Sequence, residues 1–253
     1  MNILEKILAV KRHEIDLIQT TQLDRNPHEI RSLKNALSTP EISVIAEIKM
    51  KSPSEGDILP NADPVQIAKN YESAGAAAIS VLTDEQFFGG SLDILEKVRE
   101  VVSIPVLRKD FIIDEKQIPE TIQYNADAFL LIADALDQDA LKELMNGGGK
   151  AGLESLVEYH AEKHAEFIFV LNPEIVGINC RDLKTMKTDI SYFERMISSL
   201  PSNSMKVAES GIHTSDDLKY VSDLGYDAAL IGTSLMKTGN PGKALEQLLK
   251  GLS

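Results

Sequence analysis

The sequence predicts an α/β fold: a (β/α)₈ TIM barrel with an N-terminal helical extension. Three observations support this. Short apolar runs recur eight times, each is followed by a polar turn and a helically periodic stretch, and the 253 residues match the roughly 250 that such a barrel takes. Near-continuous apolar strands alternating with helices indicate a parallel sheet covered on both faces. An open doubly wound sheet would carry a Gly-rich turn after its first strand. Here that place holds KSPSEG, which has no G-x-G-x-x-G.

Residues 1–42 read as the extension, and residues 43–253 as the barrel of a single domain. MNILEKILAVKRHEIDLIQ spaces Leu and Ile helically among charges and lacks the apolar core and cleavage site of a signal peptide. The runs that follow are SVIAEIK (43–49), AAAISVLT (76–83), IPVLRK (104–109), DAFLLIA (127–133), LESLVE (153–158), EIVGIN (174–179), MKVAES (205–210) and AALIGT (228–233). Segments such as DPVQIAKNYESAG, SLDILEKVREV and TSDDLKYVSDLG lie between them with helical periodicity. In the fourth unit LKELMNGGGKAG begins as a helix. Its glycines cost about 1 kcal/mol each, which predicts an end near Asn146 and a mobile loop over 146–152.

A net charge of -13 argues against a nucleic-acid or anionic-membrane partner. No apolar run approaches the ~20 residues of a membrane span. The single cysteine, Cys180, rules out an intramolecular disulfide and suits a reducing cytoplasm. An anionic small molecule remains compatible, provided lysine, arginine and backbone amides cluster locally against the global field.

Barrel active sites form at the C-terminal ends of the strands. The last residues of the eight runs are Lys49, Thr83, Lys109, Ala133, Glu158, Asn179, Glu209 and Thr233. Strand side chains alternate, so Glu47 and Lys49 share a face with Ile45 below them, while Ala46 and Ile48 meet the helices. The same parity pairs Leu107 with Lys109, Leu156 with Glu158, Gly177 with Asn179 and Val207 with Glu209. Taken singly, Lys109 could sit in a solvated turn, Glu158 could cap a helix, and Asn179, Arg181 and Asp182 could form a polar turn. Glu47 and Lys49 are harder to explain structurally, because their strand is otherwise core. Gly211 follows the seventh run and Gly232 lies near the end of the eighth, where many barrels bind phosphate with backbone amides. Thr233 and Ser234 add hydroxyls at the start of a short helix over 234–237.

AEIKMKSPSEG, VLTDEQFFGGSLD, VLRKDFIID, LVEYH, GINCRDL, VAESGI and LIGTSLM, in that order over essentially the whole chain, resemble the motif series of the indole-3-glycerol-phosphate synthase family. The resemblance implies ring closure, decarboxylation and dehydration of 1-(2-carboxyphenylamino)-1-deoxyribulose 5-phosphate in tryptophan biosynthesis, with neither metal nor organic cofactor. It assigns the acid that protonates the developing alkoxide to Lys109 and the base of the dehydration to Glu158. Lys49 becomes a substrate clamp and secondary acid, and Glu47 orients the lysines. Asn179, Arg181, Glu209 and Ser210 match substrate-contacting positions, and Ser52, Gly211, Gly232 and Thr233 match the phosphate grip. Phe88 and Phe111 suit a sandwich around the anthranilate ring, with Leu131 as a further apolar wall. Lys49, Lys109 and Arg181, with Lys51, would supply the local positive charge.

The chain departs from the family where Met50 replaces a frequent basic residue and Cys180 a frequent asparagine. NGGGKAG and EKHAEFIFVLNPE fit the family helices loosely. Partners expected are a phosphorylated small molecule but no nucleic acid and no membrane, for a cytoplasmic, monofunctional monomer. Two rivals stay open: another phosphate-barrel enzyme, such as a phosphoribosyl isomerase or the α subunit of tryptophan synthase, and a phosphosugar-binding module without chemistry.

Overall fold

A computed structural model describes residues 2–18, 29–182 and 185–252. Eight parallel strands close into a barrel: β1 (Ser43–Ile48), β2 (Ala78–Leu82), β3 (Val106–Lys109), β4 (Ala128–Ile132), β5 (Glu154–Tyr159), β6 (Ile175–Asn179), β7 (Met205–Glu209) and β8 (Ala228–Ile231). Each strand pairs with its sequence neighbours, and β1 closes on β8 with Ile45 level with Leu230. Helices return the chain between strands, and their starts are set by local chemistry. Asp63 caps Pro64–Ser73, whose Pro64 needs no amide partner at the first helical position. Asp137 caps Gln138–Lys150 and Thr214 builds a capping box on Ser215–Asp223.

Strand alternation divides the core in two. Ala46, Ile48, Ile79, Val81, Phe129 and Leu131 pack outward against the helices. Ile45, Ala78, Leu107, Leu130, Leu156, Val207 and Leu230 fill the lumen. Leu33 and Leu37, both fully buried on the short helix Leu33–Leu37, complete the inner cluster. A buried leucine contributes about 1.5–3 kcal/mol, so this extension segment closes the floor of the barrel. Ser32 and the Lys34 amide bind Glu154, the first residue of β5, and fix the helix there. The other described part of the extension, helix Ile3–Leu17, lies at the opposite end, where Ile3, Leu4 and Ile7 line the main cavity. Residues 19–28 of the expected extension fall outside the described residues.

Three expectations need correction. The glycine-rich stretch does not end its helix: Gln138–Lys150 runs through Gly147, Gly148 and Gly149. A Cβ at Gly148 would come 2.4 Å from the Phe129 ring, so this glycine lets the helix lie directly on β4, and packing outweighs propensity. β1, β2 and β4 end at Ile48, Leu82 and Ile132, one residue before their runs do, β8 ends at Ile231, two before, and β5 continues one residue past its run to Tyr159. The short helix after β8 is Thr233–Met236.

Candidate active site

The cavity at the C-terminal mouth is lined by Glu47, Lys49, Lys109, Glu158, Asn179 and Glu209, together with Arg181, Ser210, Gly211, Gly232, Thr233 and Ser52. Glu47 sits near the end of β1, and Lys109, Asn179 and Glu209 are the last residues of β3, β6 and β7. Lys109 occupies the centre. Its Nζ lies 3.2 Å from Glu158 Oε2, 3.4 Å from Glu209 Oε2 and 3.8 Å from Glu47 Oε2. Lys49 Nζ is 2.6 Å from Glu47 Oε1, and Asn179 Nδ2 donates to Glu158 Oε1 at 3.0 Å.

These charges set one another. Burial opposes the Lys109 ammonium, but Glu158, Glu209 and Glu47 outweigh it and hold the group protonated. Burial also opposes ionisation of Glu47, and Lys49 and Lys109 overcome it. Glu158 and Glu209 lie against each other and cannot both carry charge cheaply. Against the burial penalty, Lys109 holds Glu158 down at about 2. Burial and the Glu158 charge push Glu209 well above the usual carboxylate range. Pushing Glu209 toward its neutral form eases the like-charge repulsion among the three carboxyl groups around Lys109.

Glycines make room for this arrangement. A Cβ at Gly177 would fall 2.2 Å from Glu209 Oε1, and one at Gly232 would fall 2.4 Å from Glu47 Oε1. After β7 the backbone is left-handed at both Ser210 (φ 70°) and Gly211 (φ 72°). Such a conformation costs a serine of order 1–3 kcal/mol and marks a turn held by its surroundings. Ser234 Oγ donates to the Ile212 carbonyl and so ties the loops after β7 and β8 together. Ser52, buried on the short hairpin Lys51–Ser52 and Gly56–Asp57, faces Ser54 across 3.4 Å. Lys237 pairs with Glu55 at the tip of that hairpin. Arg181 is held by its own Nη1 donating to the Met186 carbonyl.

Some expected residues lie elsewhere. Leu131 faces the helices, and Leu130 and Ile132 line the cavity in its place. Phe88 and Phe111 both reach the cavity, yet their centroids are 6.1 Å apart at 36°. A ring stacked between two others needs about 7 Å, twice a carbon contact distance, so the pair forms one wall rather than a slot. Lys51 donates to the Gln86 carbonyl and lines a second cleft beside Met50, away from the main cavity. Cys180 is buried, donates its thiol to the Ser210 carbonyl, and is pushed up by burial to about 11.

Lys11, Asp110 and His160 were not anticipated. Lys11 is buried between Asp110 Oδ1 at 2.8 Å, Glu14 at 2.6 Å and Asp84 at 3.4 Å. Asp110 also accepts from Thr83 and Arg108, and these partners outweigh burial to keep it ionised. The readable signal was Lys11 itself: a charge on the stripe of Ile7 and Ile15 has to find a partner. His160 Nε2 lies 3.3 Å from Glu158 Oε1. Among the described residues no group of three or more His, Cys, Asp or Glu is arranged to hold a metal.

A family model described as indole-3-glycerol phosphate synthase matches residues 4–248. An indole-3-glycerol phosphate synthase from Geobacillus sp. (strain WCH70) is 46% identical over 250 residues, spanning 98% of this chain and 96% of that protein. One from Halalkalibacterium halodurans is 43% identical over 255 residues, spanning 98% and 97%. Among solved structures, a thiamine phosphate pyrophosphorylase from Pyrococcus furiosus superposes with a TM-score of 0.61 at 16% identity, covering 87% of this chain and 97% of that one; it shares the fold.

Proposed function

The chain belongs to the indole-3-glycerol phosphate synthase family, and from that premise we propose how the side chains around Lys109 divide the reaction. Indole-3-glycerol phosphate synthase is a carboxy-lyase of tryptophan biosynthesis that acts on a phosphorylated small molecule. The reaction closes the indole ring of 1-(2-carboxyphenylamino)-1-deoxyribulose 5-phosphate, releasing CO₂ and water.

The observation that carries the proposal is the charged ammonium of Lys109 set among three carboxyl groups inside a cavity with an aromatic wall. As the aromatic carbon attacks the ketone, negative charge grows on the ketone oxygen, and Lys109 donates its proton there. Loss of CO₂ restores the aromatic ring. Glu158, kept ionised by Lys109, takes the proton from the adjacent carbon as the hydroxyl leaves. Lys49 clamps the substrate's anionic end and backs Lys109 as an acid, while Glu47 bridges and orients both lysines. Glu209, carrying a proton, and Asn179 donate hydrogen bonds to substrate oxygens. The Phe88–Phe111 wall holds one face of the anthranilate ring, with Leu130 and Ile132 nearby. Backbone amides at Gly211, Gly232 and Thr233, with Ser52 and Arg181, receive the phosphate; these amides supply local positive potential in an acidic protein.

The proposal includes a monomer working in the cytoplasm, supported by a biosynthetic role and a single buried thiol. No described helix is long and apolar enough to cross a membrane. Stopped-flow indole fluorescence with the carboxyphenylamino substrate tests the assignment: turnover is expected, and phosphate-analogue binding without turnover would favour a binding module.

A further inference from the structure

The reaction has a proton balance that the cluster must meet. Two protons go to the ketone oxygen, one as the carbon–carbon bond forms and one as that oxygen leaves as water. One proton is taken from the neighbouring carbon. Each turnover therefore draws one proton from solvent, matching the carboxylate lost as neutral CO₂. Lys109 and Glu158 both line the cavity and are themselves buried, with side-chain exposures of 13% and 3%.

His160 lies where that proton could enter. Its Nε2 is 3.3 Å from Glu158 Oε1, and its Nδ1 is 3.3 Å from Asp134 Oδ2. Asp134 also accepts the His160 backbone amide at 2.8 Å, and Tyr192 donates to the His160 carbonyl at 2.6 Å, so the ring is held from both sides. The other Asp134 oxygen lies 3.3 Å from His164 Nε2. Side-chain exposure rises along this line: 3% at Glu158, 10% at His160, 11% at Asp134 and 17% at His164. The line thus leads from the cluster toward the surface beside the loops after β4 and β5. A carboxylate lies at each ring nitrogen, Glu158 at Nε2 and Asp134 at Nδ1, which fixes the nitrogen that faces Glu158.

We propose that His160 is a positioning residue that carries the net proton of each turnover to Glu158. It rests on the functional reading above. A proton on Nε2 passes to Glu158 Oε1, and the carboxylic acid so formed turns its O–H to the deprotonated Lys109 amine, 3.2 Å from Oε2 at rest, leaving a ring with Nδ1–H on Asp134. Once product has left, water in the open cavity, which His160 also lines, returns a proton to Nε2. Protons balance: solvent supplies one, the substrate carbon supplies one, and the ketone oxygen receives both through Lys109.

The test compares single-turnover indole formation by the unmodified protein, His160→Gln and Asp134→Asn, in H₂O and D₂O, with and without free imidazole. Glutamine keeps a hydrogen bond to Asp134 but carries no proton. For His160→Gln the rate is expected to fall about tenfold or more with KM within about twofold, the solvent isotope effect to rise, and imidazole to restore part of the rate. Asp134→Asn leaves the ring in place but loosens it, and should show a smaller loss with the same isotope signature. This variant decides the matter if His160→Gln fails to fold. A His160→Gln enzyme with unchanged rate and isotope effect would overturn the proposal. So would a loss spread over KM without imidazole rescue, the mark of a merely structural contact. An inactive unmodified protein would instead refute the functional reading itself.

Discussion

Lys11 Nζ, on the first helix, lies 2.8 Å from Asp110 Oδ1, one residue beyond Lys109. One buried ion pair thus joins the helix that walls the cavity to the strand that carries its central ammonium. Lys11→Met would leave Asp110 and Asp84 without this cation. Breaking a buried pair from one side costs about 3–5 kcal/mol, which denaturant unfolding would register. Ile3, Leu4 and Ile7 would lose their anchor, so KM should rise about tenfold, some 1.4 kcal/mol of binding. Unchanged stability and KM would show the pair to be incidental.

Glu209 and Glu158 give opposite pH signatures. Folding keeps a proton on Glu209 that the unfolded chain releases near pH 4.3, so its contribution is present below about 4.3 and lost as pH rises through the raised folded value. Glu158 is depressed to about 2, so its contribution is present above about 4.3 and lost as pH falls toward 2. Glu209→Gln mimics the protonated form at every pH. Its melting temperature relative to the unmodified protein should climb between pH 5 and pH 9, by about 2–4 °C for each kcal/mol relieved. A difference that stays flat across this range would remove the protonated Glu209 from the account.

Two glycine substitutions should separate site geometry from helix propensity. Gly177→Ala places a Cβ 2.2 Å from Glu209 Oε1, so the carboxyl group must move. A shift of about 1 Å at a reacting group costs about 100-fold in rate, and single-turnover kinetics should show it in a folded protein. Gly147→Ala meets no atom within 4 Å and lies inside Gln138–Lys150, so it should stabilise the protein by about 0.5–1 kcal/mol without changing activity. Equal rates for the two variants would contradict the close fit around Glu209.

Much of the site was legible because strand parity is a strict rule. Glu47, Lys109, Glu158, Asn179 and Glu209 reach the lumen side from the alternation alone, and the apolar residues two below them pack as that rule requires. Leu131 came in with the family resemblance as an apolar wall, whereas on β4 it faces the helices and its neighbours Leu130 and Ile132 reach the cavity. The glycine helix was misread because propensity is local, whereas the contact of Gly148 with Phe129 is tertiary. Lys51 was expected to add positive charge at the site and Met50 to mark a lost basic contact there, but both line a separate cleft. Lys11 meets Asp84 and Asp110, and His160 meets Asp134, far along the chain, and no local pattern names those partners.

The central claim is that Lys109 supplies the proton that lets the ring close. Rapid mixing of Lys109→Ala with the carboxyphenylamino substrate, followed by indole fluorescence, tests it most directly. A loss of at least about 100-fold in the single-turnover rate, in a protein that still melts cooperatively and still binds a phosphate analogue, is the predicted result. Undiminished turnover by that variant would contradict the account.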